Sequence, residues 1–185
     1  MKDFLWNFTS THNLLFLAVY FFIYLYMDIT DIPFINGLDI KFLFPAKKIF
    51  IIHGHDTINI LRLKNLLYDF NLKPIVISEE NTFEITAILE KFEKFGSKCR
   101  YAIALCTPDD RIQVDEKYYH QPRPNVIYEI GWFCAKKGRK KVMLLVKDGT
   151  KIFSDFDGVL HAKFKDDVEE CHKHLYKALK SQKLI

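Results

Sequence analysis

The stretch RPNVIYEIGWFCAKKGR, residues 123–139, places one carboxylate, Glu129, among Val126, Ile130, Trp132 and Phe133, whose spacing is that of a buried helix. A carboxyl half covered by apolar neighbours has its pKa raised, while the positive end of a helix lowers it. Such a group can move a proton or set negative charge beside a developing cation. The competing structural role is a helix-start salt bridge to Arg123, Lys136 or Arg100. Other chemistry-bearing patterns are weaker. His53 with His55, and His172 with His174, have the i, i+2 spacing of two metal ligands on a strand, but a closed site takes four and no Cys or His group supplies the rest. They read as solvated or core-capping histidines, and no metal is expected. DFDGVL, residues 155–160, imitates an Asp-x-Asp-Gly phosphatase nucleophile. Fewer than thirty residues follow Asp157, too few to supply the acidic Mg2+-binding loop and the Lys that this chemistry needs, so Asp157 and Gly158 read as a turn. Neither a GxGxxG nor a Walker A loop occurs.

Glu129 can act only if the surrounding chain builds a cleft. KIFIIH, residues 48–53, is a continuous β-branched and aromatic run of strand length that stops at Gly54. With Asp56 or Thr57 as a cap, Ile60, Leu63, Leu67 and Phe70 recur at helical spacing. PIVI, residues 74–77, predicts a second strand, and Ile85, Ile88, Leu89, Phe92 and Phe95 predict a helix closed by Gly96. YAIALC, residues 101–106, is the third strand, and a polar loop over 107–124 leads to the helix bearing Glu129, which Gly138 ends. KVMLLV, residues 141–146, and GVLHA, residues 158–162, predict a fourth and a fifth strand. Val168, Cys171, Leu175 and Leu179 mark one face of a last helix over about 166–181.

Alternation of this kind demands a parallel sheet covered on both faces, because crossover helices have nowhere else to go. The expected fold is therefore α/β and flavodoxin-like, a five-stranded parallel sheet in the order 2-1-3-4-5 with helices on both sides. Ligands bind such sheets outside the carboxyl ends of the strands. The loops after the first three strands emerge there, and the helix of Glu129 begins on the same edge.

A chain of 185 residues that is 49% hydrophobic, with only 7 Gly and 6 Pro, can bury one good core beside an appendage. Composition shifts near residue 45, dividing a hydrophobic segment and connector, 1–45, from the α/β domain, 46–185. LLFLAVYFFIYLYM, residues 14–27, is apolar or aromatic throughout, and no charge occurs from Phe4 to Met27. Trp6, Phe8, Tyr24 and Tyr26 resemble aromatic belts, and the lysines Lys41, Lys47 and Lys48 follow where only Lys2 precedes. Two readings of residues 4–27 stay open: an anchor holding the domain at the cytoplasmic face of the inner membrane, or a buried, oligomer-forming helix. Asp28 and Asp31 follow the run in place of a small-residue cleavage site, so no signal peptide is expected. The net charge of +4 comes from interleaved signs, which excludes an expected nucleic-acid partner. Cys99, Cys106, Cys134 and Cys171 form no CxxC pair, which suits free thiols in a reducing, cytoplasmic compartment.

Four blocks in order, KIFIIHGHD, ALCTPDD, RPNVIYEIGWFCAKKGR and SDFDGVLH, resemble a bacterial TIR-like family whose members include TIR effectors of cyclic-nucleotide antiphage systems. The resemblance covers residues 48 to about 164. It implies the TIR form of the flavodoxin-like sheet and an NAD+ glycohydrolase activity that releases nicotinamide, with ADP-ribosyl cyclase activity as a variant. NAD+ is then the substrate, and no cofactor is implied. The catalytic glutamate of the third helix matches Glu129. The resemblance brings His53, Gly54, His55 and Asp56 after the first strand, and Ser78 and Glu79 at the start of the 78–83 loop, to the pocket rim, with Asp109 of ALCTPDD as a further substrate contact. Trp132, a turn along the helix from Glu129, reads either as a ring that stacks on nicotinamide or adenine or as a core aromatic. It also implies a homo-oligomer through TIR–TIR contacts, in which a neighbour's loop completes the pocket.

One carboxylate is chemically sufficient for that reaction. Nicotinamide leaves as a group that is already cationic in the substrate, so no general acid is required, unlike the paired carboxylates of ordinary glycosidases. The transition state develops oxocarbenium character on the ribose, and a nearby carboxylate in a water-poor site stabilises it. The family pattern carries a Gly and an Arg in the loop after the second strand, whereas SEENTFEIT has neither, which bears on substrate orientation and assembly through that loop. The alternative reading is a non-catalytic nucleotide-binding or TIR–TIR adaptor domain.

Overall fold

A computed structural model of the chain describes residues 46–79 and 88–185. The expectations for the 1–45 segment, for Ile85 and for residues 80–83 of the rim loop lie outside the described residues. Among the described residues no helix is long and apolar enough to cross a membrane.

Strand β1 (Lys48–His53) is followed by helix α1 (Thr57–Asp69), β2 (Lys73–Ile75), a 3-10 turn (Ile77–Glu79), α2 (Ile88–Ser97) and β3 (Tyr101–Cys106). A hairpin of β4 (Asp110–Val114) and β5 (Lys117–Gln121) precedes α3 (Pro124–Lys137), β6 (Val142–Lys147), β7 (Leu160–Phe164), a 3-10 turn (Val168–Cys171) and α4 (His172–Ser181). The main sheet is parallel throughout, in the order β2-β1-β3-β6-β7. Leaving the hairpin aside, that is the expected 2-1-3-4-5 order of a TIR fold.

The continuous apolar strands are explained by burial on both faces. Side chains alternate across a strand, so Ile49 and Ile51 enter one core with Ile103, Leu105, Met143 and Leu145. Phe50 and Ile52 enter the other with Ala102, Ala104, Leu144 and Val146. On the first face α1 and α4 contribute Leu63, Leu67, Leu175 and Leu179; on the second, α2 and α3 contribute Phe92, Val126, Ile130 and Phe133. The small Ala102 and Ala104 on the central strand leave room for rings. Phe50 meets Phe92 at 5.5 Å and Phe133 at 5.0 Å, centroid to centroid.

Three expectations are corrected. The 107–124 stretch is not a loop but largely the antiparallel β4–β5 hairpin, with Ile112 opposite Tyr119 and Asp115 at the turn in left-handed conformation, φ 55°. The second helix begins with its apolar start exposed, since Ile88 is 82% accessible where its spacing predicted an inward position. The last helix is shorter than expected, because residues 168–171 form a 3-10 turn capped by the Asp167 and Glu170 side chains before α4 starts.

One buried polar side chain joins the two ends of the domain. Asn59, 2% exposed, donates through Nδ2 to Asp56 Oδ2 at 2.9 Å, and its Oδ1 accepts from the Val168 amide at 2.9 Å. Replacing Asn59 by Ala leaves that buried amide without a partner, and the expected loss is about 2 kcal/mol of unfolding free energy, read from urea denaturation.

Candidate active site

Helix α3 starts on the carboxyl edge of the sheet because Pro124 sits at its first position and Arg123 before it is extended, at φ −57° and ψ 151°. It ends where Gly138 takes φ 91°, a conformation that a side chain would strain. Val126, Ile130 and Phe133 point into the core, which leaves Glu129 on the flank of the stripe in the second turn. There it lines a cleft of about 300 Å³ together with Ile51 and His53 of β1, Ile77 and Ser78 of the 3-10 turn, Ile88 and Lys91 of α2, and Asn125.

Burial pushes the Glu129 carboxyl up to about 7. Desolvation is the cause, the direction that partial burial among apolar neighbours dictates. No hydrogen bond or ion pair engages the carboxylate among the described residues. Of its expected salt-bridge partners, Arg123 instead donates from Nη1 to His55 Nε2 at 2.6 Å. Lys91 lines the same cleft without pairing to it. A half-buried carboxylate with no cation assigned to it can receive a cationic or hydroxyl-bearing ligand.

The predicted rim residues divide. His53 and Ser78 join Glu129 in the cleft, and His53 Nδ1 donates to the Gly54 carbonyl at 2.8 Å, which leaves Nε2 turned to other partners. His55 lies outside the cleft lining and holds Arg123. Asp56 caps α1 through the Asn59 amide and pairs with Lys147 Nζ at 2.9 Å. Burial raises its pKa, but the Lys147 and Asn59 hydrogen bonds outweigh that and hold it below the ordinary value. Glu79 gives both oxygens to Lys64 Nζ, at 2.7 and 2.6 Å, on the outer side of α1. Asp109 accepts from the Thr107 hydroxyl at 2.9 Å and lies against Gly54. A Cβ at Gly54 would come within 1.8 Å of that carboxylate, so a side chain there would displace Asp109 from its place against the loop. Trp132 packs edge-on against Phe92 at 4.9 Å and Phe133 at 5.1 Å, beside the second core and away from the cleft lining.

Asn125 and Lys91 were not singled out from the sequence. Asn125 precedes Glu129 by four residues on one helix, a spacing that already puts the two on one face. Lys91 had no such signal, because only the packing of α2 beside β1 turns it toward the cleft.

Residues 48–166, which include every one of these cleft residues, match the family model described as CAP12/Pycsar effector protein, TIR domain. The chain is similar to the uncharacterized protein YuaY of Escherichia coli (strain K12), 37% identical over 123 residues, 65% of this chain and 41% of that protein. It is similar to protein tirC of Dictyostelium discoideum, 28% identical over 140 residues and 69% of each chain. To the Pycsar effector protein PaPycTIR of Pseudomonas aeruginosa it is 37% identical over 73 residues, 38% of this chain and 24% of that protein. The chain thus spans well under half the length of the first and third of these relatives.

Proposed function

The chain belongs to the TIR-domain family of CAP12/Pycsar effector proteins, and from that premise we propose that it is an NAD+ nucleosidase that cleaves the nicotinamide–ribose bond in bacterial antiphage defence. The observation that carries the reading is Glu129, half-buried and unpaired at a cleft on the carboxyl edge of the sheet, with its pKa pushed up to about 7.

In the proposed reaction NAD+ lies with its nicotinamide riboside against α3. The C1′–N bond breaks heterolytically, the electron pair leaves with neutral nicotinamide, and the ribose becomes an oxocarbenium ion. The ionised Glu129 faces that charge and accepts from the ribose hydroxyls. The substrate's own pyridinium charge favours the ionised carboxylate on binding, so a free-protein pKa near 7 does not hold the bound enzyme protonated. Water then adds to C1′ and releases a proton, giving ADP-ribose; attack by an adenine nitrogen in place of water gives the cyclic isomer. Ile51 and Ile77 keep the local dielectric low, which strengthens the carboxylate–oxocarbenium attraction. Asn125 would orient a hydroxyl, and Lys91 the diphosphate.

Binding and chemistry are separable here. Lys91→Ala is expected to raise KM for NAD+ about tenfold with kcat little changed, since a diphosphate contact is made equally in the ground and transition states. Steady-state kinetics check it, and a fall in kcat with constant KM would assign Lys91 another part. The cleft is open to one side, and the family membership supports a homo-oligomer in which a neighbouring TIR domain closes it. The reading is tested by incubating the full chain with NAD+ over a range of protein concentrations and following nicotinamide by chromatography. Release that grows faster than protein concentration is expected. Saturable NAD+ binding with no release at any concentration would favour the adaptor alternative.

A further inference from the structure

All five strands of the main sheet run parallel, so their amino ends share one edge, opposite the cleft. That edge is cationic. Lys48 pairs in register with Lys73, and Ile49 with Tyr101, so Arg100, the residue just before β3, enters the sheet on the same edge. The 3-10 turn Arg139–Lys141 leads directly into β6 beside β3, which brings Arg139 and Lys140 to the same edge. With strands about 4.8 Å apart, the row spans roughly 15 Å. Lys48, Lys73, Lys98, Arg100, Arg139 and Lys140 are all exposed. Among the described residues none of the six takes part in an ion pair. Lys47, just inside the edge, has its pKa lowered by burial and by the repulsion of Arg100, the signature of a positive neighbourhood. A recess of about 360 Å³ opens on the same edge, lined by Arg139, Lys140, Ser181, Gln182 and one acid, Asp157.

Cations at the ends of α3 and α4, such as Lys137 and Lys180, complement helix dipoles. Lys48, Lys73 and Arg100 do not, because they stand at strand starts, where no such dipole exists. At the opposite edge charges of both signs are interleaved: Asp56 pairs with Lys147 and Asp167 with Arg62.

We propose that the amino edge of the sheet docks on anionic lipid headgroups, with the cleft turned toward solvent. Lipid is favoured over nucleic acid by where the chain enters. Lys47 and Lys48 lead into β1 on this edge, and the 45 residues before Ala46 carry the charge-free, strongly apolar stretch from Phe4 to Met27. An apolar stretch joined to a polybasic patch is the two-signal combination that holds proteins at anionic surfaces. The phosphate of a headgroup fits the Arg139–Lys140 recess.

The experiment is co-sedimentation of the full chain with vesicles of phosphatidylcholine alone or mixed with phosphatidylglycerol. The readout is the ratio of anionic to neutral binding, which removes any contribution of the apolar segment alone. The triple variant Lys73→Glu, Arg100→Glu, Lys140→Glu is expected to lose at least about tenfold of that ratio. A control triple, Lys117→Glu, Lys163→Glu, Lys165→Glu, makes the same change of net charge at exposed positions elsewhere and is expected to keep most of it. On the parent chain, high salt is expected to abolish the preference. Equal losses in the two triples, a salt-independent ratio, or tighter binding to duplex DNA than to anionic vesicles at the same salt would each overturn the proposal.

Discussion

Glu129→Gln is expected to lower NAD+ cleavage by on the order of a thousandfold while leaving NAD+ binding within a few fold. Gln keeps the shape and a hydrogen-bonding oxygen, so the ribose hydroxyls can still be held; what disappears is the negative charge opposite the oxocarbenium. That charge acts more strongly on the oxocarbenium than on the bound pyridinium, which places most of the loss in kcat and only a few fold in binding. The parent should also carry a pH signature. With the free carboxyl at about 7, kcat/KM is expected to rise tenfold per pH unit below that value and to level off above it. The variant's residual rate should show no such limb. Nicotinamide release measured on both proteins decides the matter, and equal rates would remove the enzymatic reading altogether.

The sheet was legible because its physics is local. Strands buried on both faces are apolar almost throughout, so KIFIIH, YAIALC and KVMLLV announce themselves without alternation, the last one residue out of step with β6. The hairpin was not legible for the same reason reversed. DRIQV and KYYHQ are exposed on most positions, so polar residues fall on both sides and the period of two is blurred. What fixes them lies outside the hairpin: the Lys151 amide donates to the His120 carbonyl at 2.7 Å, and the Lys151 ammonium sits 3.8 Å from the Tyr119 ring centroid.

The candidate site divides along the same line. The place of Glu129 on its helix follows from spacing, but its pKa direction comes from burial in a cleft that Ile77 and the end of β1 line, and only folding brings these beside it. Asp56 shows the limit from the other side. Its capping role was readable from its position before Thr57, whereas Lys147, 91 residues away, occupies the oxygen that the cap leaves. Trp132 was an aromatic of either kind until Phe92 and Phe133 closed around it.

The variant that stops turnover should also be the more stable protein at high pH. Glu129 titrates at about 7 in the folded chain against an ordinary 4.5, so the folded state holds its proton more tightly than the unfolded state. A raised folded pKa contributes stability that is fully present below about 4.5 and is lost as pH rises through about 7, because above that range a charge must sit in a site that disfavours it. The interval corresponds to about 3 kcal/mol at most. Gln carries no charge at any pH and escapes this loss. Thermal unfolding is therefore expected to place the melting temperature of Glu129→Gln on the order of 6–12 °C above the parent near pH 9. Near pH 4 the two should melt together, apart from a constant offset from the amide itself. The pH dependence of the difference is the diagnostic. A parent–variant gap that is the same at both ends would mean that the carboxylate is as well hydrated in the folded chain as in the unfolded one, and a group so hydrated could not supply the concentrated negative charge that the cleavage requires.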